Sequence, residues 1–286
     1  DSINQYTSAK PVFRAGANYQ VGEATYLRSS WGQGFRFPSM AEMFISTTYS
    51  GVEIFANPEL KPETGWSAEI GLKQGLKIGK WMGYIDAAAF IMEYNDMMEF
   101  NFGKWGDTVL ITIDTLGETL FTGLGFKSVN VGKARVSGME FSFTGQGELT
   151  SEITVNLLAG YTFMNTESLN PNYVYYTNNY ILTDGNAYFP QSDTVTYNNS
   201  STDTTVLKYR YKHVVKIDTE LTYKKFTLGA SLRYNDFMKN VDAIFVDPIM
   251  QSTIPDIVEA RENFKNGDFI VDFRTSYQLN PITKIG

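Results

Sequence analysis

YLRSSWGQGFRFPSMAEMF (residues 26–44) and ANPELKPETGWSAEIGLK (residues 56–73) are the two stretches that decide the fold of this chain. Polar and apolar residues alternate through Thr64–Gln74, with Trp66, Ala68, Ile70 and Leu72 on one face and Ser67, Glu69, Gly71 and Lys73 on the other. Successive side chains of a strand point to opposite faces, so this alternation predicts a half-buried β-strand. The mid-strand carboxylate of Glu69 must then face water or a partner.

The same alternation predicts nine strands along the chain. They are Pro11–Gln20, Ala24–Gln33, Thr64–Gln74, Trp81–Tyr94, Ala134–Gly145, Ser151–Phe163, Lys208–Tyr223, Phe226–Asn235 and Phe269–Gln278. In the seventh, one face is aromatic at both ends and aliphatic between them, and the other face is charged. That distribution is typical of a barrel strand with one face in lipid.

Short and long connections alternate between these strands. The short turns lie at Val21, Leu76, Gln146, Lys224 and Asn280, and the long loops follow Gln33, Tyr94, Phe163 and Asn235. This asymmetry favours an outer-membrane barrel over a β-sandwich. The third long loop, Met164–Leu207, is predicted to be exposed and mobile. A short strand is predicted around Val109–Ile113, and a helical turn near Asp256–Asn263.

Composition excludes several classes of function. The net charge of −7 gives little electrostatic support for binding nucleic acid, and the absence of cysteine excludes disulfide scaffolds, thiol catalysis and Cys-ligated metals. No run approaches the ~18 apolar residues of a membrane-spanning helix, whereas a barrel strand needs only roughly 10 alternating residues. Glu63 and Glu69 have no accompanying nucleophile or histidine, so no catalytic residues, metal or cofactor are expected.

Two separated motifs carry a family resemblance. The first comprises Arg28, Gly34-Phe35-Arg36, Pro38, Glu42, Phe44, Asn57-Pro58, Leu60, Pro62-Glu63, Glu69 and Gly71, and the second comprises Asn130–Ala134 with Gly138-Met139-Glu140. In this order they resemble the barrel motifs of TonB-dependent outer-membrane receptors. The resemblance implies a transmembrane antiparallel β-barrel with long extracellular loops. It also implies energy-coupled import of a scarce ligand, such as a siderophore, glycan, peptide or cobalamin, across the outer membrane of a Gram-negative bacterium.

Nine strands cannot close a barrel of roughly 22 strands, and an open edge in lipid would leave backbone groups unpaired. Residues 1–286 are therefore expected to be the C-terminal portion of such a barrel, with the plug domain and the first barrel half lying elsewhere, in the same polypeptide or in another piece of a split barrel. The expected partners are outer-membrane lipid, the rest of the receptor and a TonB-type energy-coupling protein. A glycan or peptide ligand would add a surface lipoprotein.

The resemblance and the residue chemistry together give two sets of candidate site residues. Motif residues at the loop base, or facing the plug, are Arg28, Arg36, Glu42, Glu63, Glu69 and Glu140. Aromatic residues in the long loops that could stack on a ligand are Tyr49, Phe55, Tyr175, Tyr176 and Tyr180. The alternatives are ion pairs that only fix the loop base, and tyrosines that only pack their own loops.

Two other functions remain open at this point. One is a passive porin or a structural or adhesion barrel, and the other is a secreted carbohydrate-binding β-protein. A soluble sandwich would bury Val215, Ile217, Leu157 and Phe273 together between two sheets, whereas a membrane barrel would expose them.

Overall fold

A computed structural model describes residues 10–49, 52–105, 109–112, 123–184, 187–247 and 256–286. The elements of these residues, in chain order, are β1 (Arg14–Gly22), β2 (Thr25–Arg36), α1 (Met40–Phe44), β3 (Thr47–Tyr49), β4 (Val52–Phe55), β5 (Glu63–Ile78), β6 (Trp81–Asn95), β7 (Met98–Lys104), β8 (Val109–Thr112), β9 (Leu124–Asn130), β10 (Ala134–Glu148), β11 (Ile153–Ser168), β12 (Val174–Asp184), β13 (Ala187–Thr196), β14 (His213–Tyr223), β15 (Phe226–Asn235), a 3-10 helix (Ala243–Val246), α2 (Ile257–Asn263), β16 (Asp268–Gln278) and β17 (Lys284–Ile285).

The main sheet is a meander of ten of these strands. Its order is β1-β2-β5-β6-β10-β11-β14-β15-β16-β17, and each neighbouring pair is antiparallel. The nine strands predicted from alternation are thereby confirmed, as is the all-β antiparallel class, and β17 adds a two-residue strand at one edge. The described helices are all too short or too polar to cross a membrane.

The register of this sheet separates charge from apolar surface. Paired residues share a face, and the register places ten charged residues on one side of the sheet. They are Arg28, Glu69, Asp86, Glu140, Lys216, Asp218, Glu220, Arg233, Asp272 and Arg274. We call this side the polar face. The opposite side, the apolar face, leaves Ile217 37% and Phe273 76% exposed, and Leu157 and Val215 are only partly buried. No second sheet covers them in the described residues, so the sandwich alternative is wrong.

The two ends of the sheet differ as predicted, but Val21, Leu76 and Gln146, where short turns were predicted, lie inside β1, β5 and β10, which end one or two residues later. At one end the strands are joined by tight turns, including Gly79, which has a φ of +61°, and the two-residue turn Lys224-Lys225. At the other, the long-loop end, the connections span residues 37–62, 96–133, 169–212 and 236–267. The predicted strand near Val109 is confirmed as β8, although Ile113 lies outside the described residues, and the helical turn is confirmed as α2.

Two predictions at the long-loop end were wrong. The seventh strand begins at His213 instead of Lys208, because Tyr209 adopts a left-handed backbone with a φ of +58° and leaves the sheet. The third loop is not uniformly exposed, because it forms the hairpin β12–β13 and buries Tyr197 and Leu207 at 0% and 1% exposure. These side chains pack against residues of the second loop, which no local pattern could indicate.

Candidate functional site

A cavity of about 490 Å³ opens on the polar face beneath the long loops, and we call it the vestibule. Four of the six predicted motif residues line it: Arg36, Glu63, Glu69 and Glu140. Methionines from β6, β7 and β11, with Arg210 of the third loop, line other parts of its wall. The vestibule therefore combines a flexible apolar wall with charged groups, which is the composition of many ligand sites.

The base of the first loop is held by a charged cluster beside the vestibule. Arg36 lies 2.7 Å from a carboxylate oxygen of Glu42 and 3.8 Å from one of Glu63, and the other Glu63 oxygen accepts a hydrogen bond from the Met98 backbone N–H. Ser39 and Glu42 form a capping box on α1. Partial burial opposes ionisation of Glu42, but hydrogen bonds from Arg36 and Ser39 outweigh it and lower the pKa of this carboxyl. These contacts agree with the loop-base alternative, and contact of the same residues with a plug stays a prediction.

The two sequence motifs contact each other in the structure. Asn130 accepts a hydrogen bond from the Lys61 N–H at 2.8 Å and donates to the carbonyls of Lys61 and Asp96. Asn57 donates to the Ser128 carbonyl at 2.8 Å, and Leu60 between these contacts is fully buried. The first and second long loops are therefore joined at their bases by side chains from both motifs.

Replacing Asn130 by alanine is expected to loosen this junction, because three hydrogen bonds are lost and the Lys61 and Asp96 backbone groups need new partners. The expected cost is about 1–2 kcal/mol for opening the segment around residues 57–61. Hydrogen exchange of that segment measures the loss. Asn172→Ala is the matched control, since Asn172 is exposed and makes one side-chain contact with Asn198. Equal exchange in both variants would contradict the assigned role of Asn130.

Ion pairs cover much of the polar face below the vestibule. Arg28 contacts Glu69 at 2.9 Å and Asp86 at 2.7 Å, and Arg274 binds both oxygens of Asp218. Glu140 is exposed and forms no ion pair within the described residues. A wall of paired charges requires water or polar partners along the whole strand length, which fits the lumen of a barrel and not a dry core.

The predicted loop aromatics mostly pack inside the loops. Phe55, Tyr175 and Tyr176 pack against a buried core made by the second and third loops. The Tyr176 hydroxyl donates to the Trp105 carbonyl, and the two rings meet edge to face with centroids 5.1 Å apart. For these three residues the structure favours the loop-packing alternative. Tyr49 and Tyr180 lie in β3 and β12, and their side chains lie outside the described part of the chain.

This architecture agrees with a family match over nearly the whole sequence. A family model described as TonB dependent receptor-like, beta-barrel, matches residues 2–284. The chain belongs to the TonB-dependent receptor β-barrel family. Transport across the outer membrane is the activity of this family, whose members are outer-membrane receptors. A comparison with curated proteins finds no match.

Solved structures with the same fold include three receptors whose TM-scores to this chain are 0.52. They are the copper transporter OprC (14% identity), the ferric-catecholate import receptor Fiu from K12 E. coli (18%) and a mutant of the Serratia marcescens hemophore receptor HasR, in complex with its hemophore and heme (13%). Each alignment covers 94% of this chain and 31%, 28% and 34% of the other, respectively. The chain thus spans about a third of the length of these receptors.

Sequence reasoning missed a second group of charged residues in the loops of this receptor. Lys208 and Asp242 form an ion pair at 2.8 Å with side chains 0% and 1% exposed, and the Tyr209 hydroxyl donates to Asp242. Alternation assigned Lys208 to a strand face, and nothing in the sequence marks it as buried. The left-handed Tyr209 beside it is strained for a residue with a large side chain, and such strain often accompanies a functional site.

Proposed function

We propose that this receptor chain forms part of an outer-membrane barrel that imports a scarce ligand by energy coupling. The observation that carries the proposal is the vestibule, which lies on the charged face of a sheet whose other face is apolar and exposed. In a closed barrel the charged face surrounds the lumen and the apolar face contacts lipid. The long loops are then extracellular, and the vestibule is the outer mouth of the lumen.

The rest of the machinery is proposed from membership of the family. Residues 1–286 act as the C-terminal portion of the barrel, with a plug domain and the remaining strands supplied by the rest of the receptor. A TonB-type protein transmits energy to that plug, so conformational gating and not covalent chemistry drives import, and no residue acts as a catalyst. Glu140, which has no ion-pair partner among the described residues, and Arg210 are the vestibule charges that we assign to contacts with ligand or plug.

The names of the structural relatives indicate the kind of ligand that this receptor imports. The structural relatives are named for copper, ferric catecholates and a heme-carrying hemophore. We propose that this receptor likewise imports a scarce nutrient: a siderophore, a cobalamin, a glycan or a peptide. For a glycan or a peptide, a surface lipoprotein is the expected additional partner.

Import by the full-length receptor is expected to require energy. Cells in which this receptor is the one route for the nutrient should take up a labelled ferric siderophore, cobalamin, oligosaccharide or peptide from a test panel. Uptake should stop when the TonB-type protein is deleted or the proton gradient is dissipated, while binding at the cell surface remains. Glu140→Gln should weaken binding, whereas Glu59→Gln, an exposed carboxylate outside the vestibule, should not.

A passive porin is the outcome that would overturn this proposal. The full-length receptor in a planar bilayer should show no large steady conductance, because a plug fills the lumen. A constant open-channel current, with solute uptake that survives loss of the energy-coupling protein, would show a porin instead.

A further inference from the structure

A buried polar cluster joins three of the long loops. Asp242 of the fourth loop accepts hydrogen bonds from the Phe102 backbone N–H of β7 at 2.7 Å and from the Tyr209 hydroxyl of the third loop. Lys208 pairs with Asp242 and also donates to Ser200 at 2.9 Å. The side chains of Lys208 and Asp242 are almost fully buried, so the second, third and fourth loops share one charged centre.

Glu99 of β7 brings a second carboxylate to this centre, three residues before Phe102 in the same strand. Its Oε2 atom is buried and unpartnered, and so are both amide atoms of Asn101, two residues further along β7. Asn101 nevertheless lies close enough to influence Glu99 and Tyr175. The Asn101 amide lowers the pKa of Glu99, but burial outweighs this effect and raises the pKa above its ordinary value.

The charged and titratable groups around Glu99 come from several elements. They are Lys208, Arg210, Asp242, Tyr175, Tyr197 and Tyr209, with Glu42 of α1 lining a cavity of about 240 Å³ together with Glu99. Burial, opposed by Lys208 and reinforced by Asp242, raises the pKa of Glu99 to about 7. Burial also raises the pKa of each of the three tyrosines above its ordinary value, so they stay neutral in this range.

This cluster is connected to the vestibule through the chain itself. Leu207 and Arg210, on either side of Lys208 and Tyr209, both line the vestibule. The Asn240 amide, close to Asp242 in the fourth loop, donates to the Val206 carbonyl at 2.7 Å and so fixes the start of the same segment. Movement of Lys208 away from Asp242 would therefore shift two vestibule residues.

We propose that Glu99, Lys208, Tyr209 and Asp242 form a pH-sensitive loop clamp that closes the three loops over the vestibule in acid and releases them toward neutral pH. In acid Glu99 is neutral, and the buried Lys208 ammonium faces one buried carboxylate, that of Asp242. When Glu99 ionises, two buried carboxylates share one ammonium, and the excess charge opposes burial. The clamp controls access to the vestibule and so rests on the function proposed above.

The direction of the pH effect follows from the raised pKa of Glu99. The pKa of Glu99 is higher in the closed loops than in the open loops. Closure is therefore fully favoured when the pH lies below 4.5, the ordinary pKa of this carboxyl, because Glu99 is then neutral in both states. This stabilisation is lost as the pH rises toward about 7, where Glu99 ionises in the closed loops as well. Opening is therefore expected to increase more than about tenfold between about pH 5 and about pH 8.

Hydrogen exchange of the full-length receptor in detergent micelles tests the clamp. The readout is the protection of peptides covering residues 98–105, 197–210 and 238–243, corrected for the intrinsic pH dependence of exchange. In the wild type, protection should fall more than about tenfold between about pH 5 and about pH 8. Glu99→Gln should keep the protection of the acidic wild type at every pH, because the amide cannot ionise. Asp242→Asn should lose protection in acid, because Lys208 is then buried beside a neutral Glu99 and has no carboxylate as counterion.

Glu59→Gln is the matched control, since Glu59 is an exposed carboxylate in the first loop, and this variant should retain the wild-type pH dependence. Constant protection in the wild type, or an unchanged pH dependence in Glu99→Gln, would overturn the clamp. The readout needs no ligand and no energy source. A negative result therefore removes the clamp alone, whereas absence of energy-dependent uptake removes the import function and leaves the measured pH dependence of the loops in place.

Discussion

Replacing Lys208 by methionine is expected to separate the three loops that meet at Asp242. The substitution keeps a long apolar stem but removes the ammonium, so Asp242 is left with a buried charge and no counterion. Breaking a buried pair by removing one partner typically costs about 3–5 kcal/mol. The hydrogen bond from Lys208 to Ser200 is lost as well.

Trp105 offers a direct measurement of this effect. It is 3% exposed in the loop core and donates from its indole N–H to the carbonyls of Asn101 and Gly125. In Lys208→Met, its fluorescence should report exposure at a lower temperature than in the wild type, while the main sheet unfolds unchanged. Lys239→Met is the control, because Lys239 is exposed in the fourth loop. Identical transitions in the two variants would show that the buried pair does not hold the loops.

Replacing Ile217 by lysine is expected to destabilise the barrel by about 2–4 kcal/mol, because a charge on the lipid face near the bilayer midplane loses its hydration. Ile217 lies on the apolar face, paired with Ala159 and Leu232, near the middle of the strands. Ser142→Lys is the matched variant, since Ser142 lies at nearly the same height on the polar face and pairs with Asp86 and Gly160. A lysine there meets water and a carboxylate, and should cost less than about 1 kcal/mol.

Urea titration of the folded receptor in lipid vesicles measures this difference. The expected result is a large loss of folded protein for Ile217→Lys and a small one for Ser142→Lys. Equal losses would mean that both faces meet the same medium, and the assignment of the polar face to the lumen would fail. The comparison is independent of ligand and of energy coupling, so it tests the barrel interpretation by itself.

The sequence alone predicted the strands, their two faces and the alternation of short and long connections. These are local properties: a side chain's face depends on its position in the strand, so alternation by itself separates Glu69 and Lys73 from Trp66 and Ile70. The motif residues Asn57 and Asn130 were also found from the sequence. The sequence could not predict that they form hydrogen bonds across the bases of two loops, because these contacts depend on where each loop is anchored.

Only the tertiary structure showed the loop clamp and the packing of the loop aromatics. Glu99, Lys208 and Asp242 come from three loops, and no periodic pattern relates positions so far apart in the chain. Alternation placed Lys208 on the charged face of a strand, yet it is fully buried beside Asp242, because the backbone leaves the sheet at Tyr209. Sheet periodicity is encoded residue by residue, whereas the surroundings of a loop side chain depend on which distant segments pack around it.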